Sequence, residues 1–213
     1  MKAAVVTDFK QDPKFDNQFP TPILNPDEVL INVIASSLSN RARSGAAGSH
    51  YTSTDQLPMI PGVDGIGTLP TGEQVISPAK VLLLNKSPSK KALGNSSRWL
   101  DAIKLAGMMN PALSSWMALN YRANFSTGQK VMILGATGNA GMMAVQIAKR
   151  LGASEIIAVA RNTEQLKTLT ALGATQLVDL SAEPAQRNAQ LAKAGSDVDI
   201  VLDYLWGDVA ANA

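Results

Sequence analysis

The chain has 213 residues, 46% hydrophobic and 17% charged, with 19 Lys and Arg against 17 Asp and Glu for a net charge of +2. That length buries a sizeable core, as one large domain or two small ones, and a charged fraction below the usual quarter or so argues against a disordered chain. There is no Cys and a single His, His50, which excludes disulfides, thiolate zinc sites, a cysteine nucleophile and any multi-histidine metal centre.

Met1 to Val6 reads as a first strand, and the apolar run at this end is too short for a secretory signal. Loop signals follow at Pro13, Pro20, Pro22 and Pro26. Val29 to Ala35 (VLINVIA) is rich in β-branched residues and predicts one strong strand. Ser36 to Tyr51 is polar, bears glycine, and holds most of the reactive side chains of this half. Pro58 to Gly67 alternates turn and strand signals. Thr71-Gly72-Glu73 predicts a hairpin turn before a short strand, Gln74 to Ser77. Val81 to Leu84 reads as a buried strand and Asn85 to Ser97 as loop. Within that loop Lys86 to Lys91 is the densest basic stretch, but no aromatic residue interleaves with it, so a solvated loop is expected rather than a nucleic-acid surface. Trp99 to Met109 has helical spacing, and Ala112 to Leu119 predicts a second helix behind Pro111.

Beyond Gly128 the texture becomes a regular alternation. Val131 to Leu134 is a short apolar run that leads into Gly135-Ala136-Thr137-Gly138-Asn139-Ala140-Gly141, and apolar residues then recur at helical spacing at Ala144, Ile147, Ala148 and Leu151. Strand, glycine turn and helix in that order are what a dinucleotide-binding unit requires. Without a side chain, Gly138 lets backbone approach a pyrophosphate, and Gly141 lets the helix pack close to the strand. The helix's first N–H groups have no internal partner and point at the ligand. The usual G-x-G-x-x-G is altered here to Ala136-x-Gly138-x-x-Gly141 with an added Gly135, and an ordinary strand–helix turn is the alternative. Further strands are expected at Glu155 to Ala160, Gln176 to Leu180 and Asp199 to Asp203. The helices between them run from Asn162, a cap with Gln165 three residues on, to Gly173, and from Ser181 as a cap to about Ala194. This is an α/β chain with a doubly wound parallel sheet. No stretch approaches the eighteen or so apolar residues of a membrane span, so no membrane partner is expected and the chain reads as soluble and cytoplasmic.

The residue that closes the second strand of such a unit selects the nucleotide: an acid there bonds the ribose 2′-hydroxyl of NAD, and an arginine accommodates the 2′-phosphate of NADP. That position holds Arg161, followed by Asn162, with no acid between Ile156 and Thr163. A guanidinium pairs with phosphate as a fork and stacks on adenine, so NADPH is expected over NADH. Lys167 is a weaker second candidate.

Four stretches resemble the medium-chain dehydrogenase/reductase superfamily in its zinc-independent quinone oxidoreductase branch. They are MKAAVV at the start, Pro26 to Val33, Pro61-Gly62-Val63-Asp64-Gly65-Ile66-Gly67, and, most specific, the nucleotide loop and helix from Gly135 to Ala153. The resemblance covers residues 1–78 and 110–207. It implies a GroES-like, mostly β substrate domain over 1–109 and the first half of an NADP-binding Rossmann domain over 110–213. For the cofactor it implies Gly135, Ala136, Thr137, Gly138, Asn139, Ala140, Arg161 and Asn162. It also implies why zinc is absent: no Cys stands in Ser36 to Arg43, and Val63 occupies the place of the family's ligating His. Without a Lewis acid the chemistry shifts from alcohols toward hydride transfer onto an activated acceptor, a quinone or an α,β-unsaturated carbonyl.

By position, Asn40 or Arg43 would polarise the acceptor carbonyl, and Tyr51 or His50 would hydrogen-bond substrate or supply a proton. Surface exposure, packing or a salt bridge are the plain alternatives for each. Asn110, Ser114 and Ser115 form a second tier. Trp206, just beyond the fourth strand, would wall the nicotinamide pocket or else cap the core. Residues 80–107 depart from the family pattern. The resemblance also implies a longer chain whose later part completes the nicotinamide side and much of a homodimer contact. A nucleotide-binding module without turnover, a sensor or interaction protein, is therefore the competing class. A short-chain dehydrogenase is disfavoured because Tyr51, Tyr121 and Tyr204 are followed four residues on by Asp55, Phe125 and Asp208 rather than Lys.

Overall fold

The chain's short apolar runs become strands whose burial depends on what covers them. The computed structural model describes residues 1–26, 28–77, 83–85 and 102–213, in two units, Met1–Asn110 and Pro111–Ala213. In the first unit β1 (Ala3–Val5) pairs antiparallel with β2 (Lys14–Asp16). Nothing in the sequence signals β2, since three residues behind Pro13 are too few to show an alternation. The run expected as one strand, Val29 to Ala35, is two: β3 (Glu28–Leu30) and β4 (Asn32–Ser36), divided at the buried Ile31. The division arises because the two halves serve different sheets. β4 joins β5 (Gly65–Thr68) and β6 (Gln74–Ser77) in an antiparallel meander, while β3 pairs with β7 (Leu83–Asn85). The expected hairpin turn is present, with Gly72 N–H donating to Leu69 O at 2.9 Å. Of the strand expected at Val81 to Leu84, only Leu83 and Leu84 are described. Apart from Asn85, the loop expected to Ser97 and the basic stretch Lys86 to Lys91 lie outside the described residues, as does Trp99.

The polar stretch after β4 is not all loop. Ser39 caps α1 (Asn40–Ala46), its hydroxyl oxygen accepting the Ala42 N–H at 3.3 Å. The next helix, α2 (Ala102–Met117), replaces the two helices expected on either side of Pro111. A proline inside a helix removes one backbone bond and often breaks it; here the helix continues, and the N–H just before it, on Asn110, donates to the Asp64 carboxylate. A π-helical segment, Ala118–Arg122, follows and buries Leu119.

The second unit holds β8 (Lys130–Leu134), α3 (Asn139–Leu151), β9 (Glu155–Ala160), α4 (Thr163–Leu172), β10 (Gln176–Asp179), α5 (Pro184–Gly195), β11 (Ile200–Asp203) and α6 (Asp208–Ala211). Its four strands are parallel in the order β10-β9-β8-β11. Successive strand side chains point to opposite faces, and the core divides accordingly. Val131 and Ile133 pack with Ala144 and Ala148 of α3 and Leu169 of α4. Met132 and Leu134 pack with Leu191 of α5. Both faces are covered, which is why β8 reads as an unbroken apolar run rather than an alternation, and the doubly wound expectation holds for this sheet. One boundary differs from expectation. α5 begins at Pro184 behind Glu183, not at Ser181, because Pro184 keeps the residue before it, Glu183 at ψ 145°, out of the helical region and itself suits the first helical turn. Among the described residues no helix is long and apolar enough to cross a membrane.

Candidate functional site

The strand order sets where a ligand fits in the second unit. From β8 the chain winds one way to β9 and β10, then crosses to β11 on the other side of β8. Between β8 and β11 the winding of the chain reverses, and open α/β sheets bind ligands in the crevice beyond the carboxyl ends of the strands at such a point. The glycine turn lies there. Gly135 and Ala136 donate their N–H groups to Val159 O at 2.9 and 3.0 Å, which ties the turn to the end of β9. Gly135 has φ +83°, a conformation that side chains rarely adopt. A Cβ on Gly141 would strike Gly135 O and lie 2.5 Å from Ala136 Cα, so α3 packs closely against the turn only because that side chain is missing.

Gly138 differs from both. Its φ is −72°, and a Cβ there would meet only Gly135 O, at the ordinary distance of 3.5 Å. The fold therefore has no need of glycine at this exposed position. No side chain caps α3, whose own backbone bonding opens with Met142 N–H on Gly138 O at 2.8 Å. The N–H groups of Asn139, Ala140 and Gly141 thus lie in the turn that a helix leaves unpaired, at the positive end of its dipole. A glycine the fold does not require, beside an uncapped helix start, fits a phosphate held against backbone.

Arg161 closes β9, exposed, and among the described residues no ion pair engages it. Asn162 Oδ1 accepts Gln165 N–H at 3.1 Å as the cap of α4, leaving its amide nitrogen and backbone for other partners. Thr163, next in line, donates its hydroxyl to Asp179 Oδ2 at 2.8 Å, and Ser181 N–H donates to Asp179 Oδ1 at 2.8 Å. These bonds, those from Ser181 first and that from Thr163 after, hold the Asp179 carboxyl below its ordinary range. They also pin the start of α4, and so the Arg161 turn, to the end of β10. Lys167 is committed to Glu164 at 2.8 Å, and that hydrogen bond raises its ammonium pKa. Of the two candidate cations, Arg161 is the available one.

In the first unit Asn40 opens α1 and Arg43 lies in its last turn, both exposed. Tyr51 is 93% exposed and sits beside the His50 ring, centroids 4.3 Å apart. Thr52 N–H donates to His50 Nδ1 at 3.1 Å, which makes Nδ1 an acceptor and places the ring proton of neutral His50 on Nε2. Ser114 donates to Pro111 O, and Ser115 is buried on the same helix turn with bonds to Pro111 O and Ala112 O. Both hydroxyls satisfy their own helix, a structural role.

The residue that sequence reasoning missed is Asp64. It is 2% exposed. Its Oδ1 accepts the Ser37 hydroxyl and its Oδ2 the Asn110 N–H, each at 2.8 Å, while its carbonyl accepts the Ser36 hydroxyl at 3.0 Å. One buried carboxylate thus fixes the segment that leads into α1 and ties Asn110 of α2 to it. The available signal was an acid in the glycine-rich run Pro61 to Gly67, where a buried charge must find donors.

Comparison with known proteins gives a consistent set. Residues 140–213 match the family described as zinc-binding dehydrogenase; this segment contains neither Cys nor His, so the description carries no such ligand set into the chain. The probable NADPH-dependent quinone reductase tdiC of Emericella nidulans is 33% identical over 99% of this chain and 70% of its own length. The NADPH-dependent alkenal/one oxidoreductase (chloroplastic) of Arabidopsis thaliana is 26% identical over 86% of the chain and 53% of its own length, so the chain spans about half of that relative. Among solved structures, the quinone oxidoreductase of Thermus thermophilus, also determined with NADPH, superimposes with a TM-score of 0.82 at 26% identity, over 99% of this chain and 69% of that one.

Proposed function

The chain belongs to the medium-chain dehydrogenase/reductase superfamily, in its quinone oxidoreductase-like branch, and from that premise we propose that it is an NADPH-dependent oxidoreductase acting on a quinone or an α,β-unsaturated carbonyl. The observation that carries the reading is the glycine turn. It presents a dispensable glycine and an uncapped helix start at the switch point of the sheet, with an available Arg161 at the end of the adjacent strand. When bound, the nicotinamide cofactor supplies the hydride. The chain's own residues do the rest. Of Gly135 to Ala140, the backbone N–H groups not already bonded within the turn, at Asn139 and Ala140 of the helix start, hold the pyrophosphate. Arg161 pairs with the 2′-phosphate, and Asn162 assists through the groups its cap leaves open.

In the same reading Asn40 or Arg43 polarises the acceptor carbonyl, and Tyr51 or His50, through Nε2–H, hydrogen-bonds the reduced oxygen or supplies its proton. Zinc has no part in this reading, because no Cys stands in Ser36 to Arg43 and Val63 occupies the place of the family's ligating His. A cytoplasmic location and a homodimer of the full-length protein belong to the same reading. The names of the relatives, a quinone reductase and an alkenal/one oxidoreductase, support this acceptor class.

The test follows the loss of NADPH absorbance with a small quinone and with a simple enone, each with and without a chelator. Turnover that prefers NADPH and survives the chelator is the expected result. Loss of turnover with chelator removes the zinc-free chemistry, and NADPH binding with no turnover on either acceptor leaves a nucleotide-binding module.

A further inference from the structure

We propose that Asp179 is a positioning residue for the cation that selects the cofactor: it holds the Arg161 turn where the guanidinium meets the 2′-phosphate. The inference rests on the NADPH reading above. Arg161 stands between Ala160, the last residue of β9, and Asn162, the cap of α4. The backbone is tied to the end of β10 on both sides of it. Before it, Ala160 O accepts the N–H of Leu180 at 2.9 Å. After it, Thr163 donates its hydroxyl to Asp179 Oδ2 at 2.8 Å. Two consecutive residues, Asp179 and Leu180, thus bracket the arginine.

The two ties differ in kind. The first joins backbone groups and continues the parallel ladder in which Asp179 stands opposite Ala160. The second depends on side chains, an acceptor at Asp179 and a hydroxyl at Thr163. The Asn162 cap cannot replace it. That bond, from Gln165 N–H to Asn162 Oδ1, is local to the helix, whereas the Asp179 bond ties the first turn of the helix to the neighbouring strand.

An acid is a costly choice beside a phosphate, because like charges repel. Here the fold engages its charge. Oδ1 accepts Ser181 N–H at 2.8 Å while Oδ2 accepts Thr163, and donors from Ser181 and Thr163 hold the carboxyl below its ordinary range. The Ser181 bond is the turn that an Asp side chain makes with the backbone two residues on. It also aims the carboxylate, since with Oδ1 held there Oδ2 is presented to the start of α4. A long arginine side chain forks onto a phosphate most tightly when the backbone that carries it is held by a supporting shell. All of these contacts lie within β9, α4, β10 and the turns that join them.

The experiment asks whether Asp179 acts on the 2′-phosphate or on the fold at large. NADPH, NADH and 2′,5′-ADP, which has the adenosine 2′-phosphate but no nicotinamide, are titrated calorimetrically into the wild type and into D179A, T163V and T163S. T163V keeps the shape of Thr163 without its hydroxyl, so it tests the same bond if D179A does not fold. The expected result is a loss of about fivefold in affinity for NADPH and for 2′,5′-ADP in D179A and T163V, the scale of one hydrogen bond, with NADH unchanged. T163S, which keeps the hydroxyl, retains the wild-type preference. Equal weakening of NADPH and NADH overturns the proposal and makes Asp179 a support of the fold alone. Tighter NADPH binding by D179A also overturns it, because the acid then acts on the phosphate by repulsion, and so does an unchanged preference in both D179A and T163V. A wild type that binds NADH as tightly as NADPH, or binds neither, sinks the NADPH reading itself, and that outcome is read before any variant is compared.

Discussion

Strands β8 and β4 each span five residues and both carry an apolar run, yet their fates differ. In β8, Val131 to Leu134 are entirely buried, because α3 and α4 cover one face and α5 the other. In β4, Val33 and Ile34 remain 43% and 47% exposed, in a unit of two- and three-stranded sheets. The parallel unit is held by its core, so its turns are free to carry strained or uncapped backbone at Gly135 and Gly138. The N-terminal unit is held more by specific polar ties. The Asp64 carboxylate, which fixes the approach to α1, is the clearest of them.

The contrast is broken most severely at Gly141. A Gly141→Val chain must push α3 away from Gly135 and Ala136, and we expect a loss of about 3 kcal/mol in urea denaturation, with loss of NADPH binding. Retention of both would mean that the close approach of helix and turn is unimportant. Asp64→Ala comes next. It strips the acceptor from the Ser37 hydroxyl and the Asn110 N–H, for an expected cost of about 2 kcal/mol. Because the segment before Asn40 is then untied, turnover should fall while NADPH affinity stays within about twofold of wild type. Gly138→Ala sharpens the comparison from the other direction. Stability should change by only about 0.5 kcal/mol, since the added Cβ meets no close atom and Ala is merely a poorer cap. NADPH affinity should fall by about tenfold or more, because a methyl group then occupies the place of a phosphate oxygen. An unchanged affinity would remove the phosphate from that turn.

The smallest effect is on pH dependence. Asp179 is held below its ordinary pKa by Ser181 and Thr163. A lowered folded-state pKa contributes stability that is present above the unfolded-state value and is lost as pH falls through the folded-state value. Wild type should therefore exceed Asp179→Ala in stability at neutral pH, and the gap should close below about pH 4, the unperturbed carboxylate range. A gap that persists at low pH would show that the carboxylate's charge is not what pins the Arg161 turn.

The same contrast decides what could be read from the sequence. Strands β8 to β11 and the Asn162 cap were legible because each is fixed locally, by a continuous apolar run, a glycine stop or an Asn with Gln165 three residues on. The start of α5 was misplaced by a local rule that met a stronger one: Ser181 is a good cap, but Pro184 holds Glu183 extended, so the helix begins at the proline instead. In the N-terminal unit the deciding contacts are distant in sequence. The break at Ile31 depends on β5 and β7 some thirty-five to fifty residues on. Helix α1 is not visible in the sequence because its seven residues, NRARSGA, bury only Ala42 and show no apolar stripe. The candidate residues Asn40 and Arg43 lie on that helix, a setting the sequence does not show, and Asp64 went unrecognised because its partners are 27 and 46 residues away.

The central claim is that the parallel unit is an NADPH site selected by Arg161, and calorimetric titration of NADPH and NADH into wild type and Arg161→Ala tests it most directly. The prediction is tighter binding of NADPH than NADH by wild type. Arg161→Ala should lose roughly ten- to a hundredfold of NADPH affinity, the scale of a charge-assisted bond to phosphate, with NADH affinity unchanged. Equal affinity for the two cofactors in wild type, or an Arg161→Ala chain that still prefers NADPH, would contradict it.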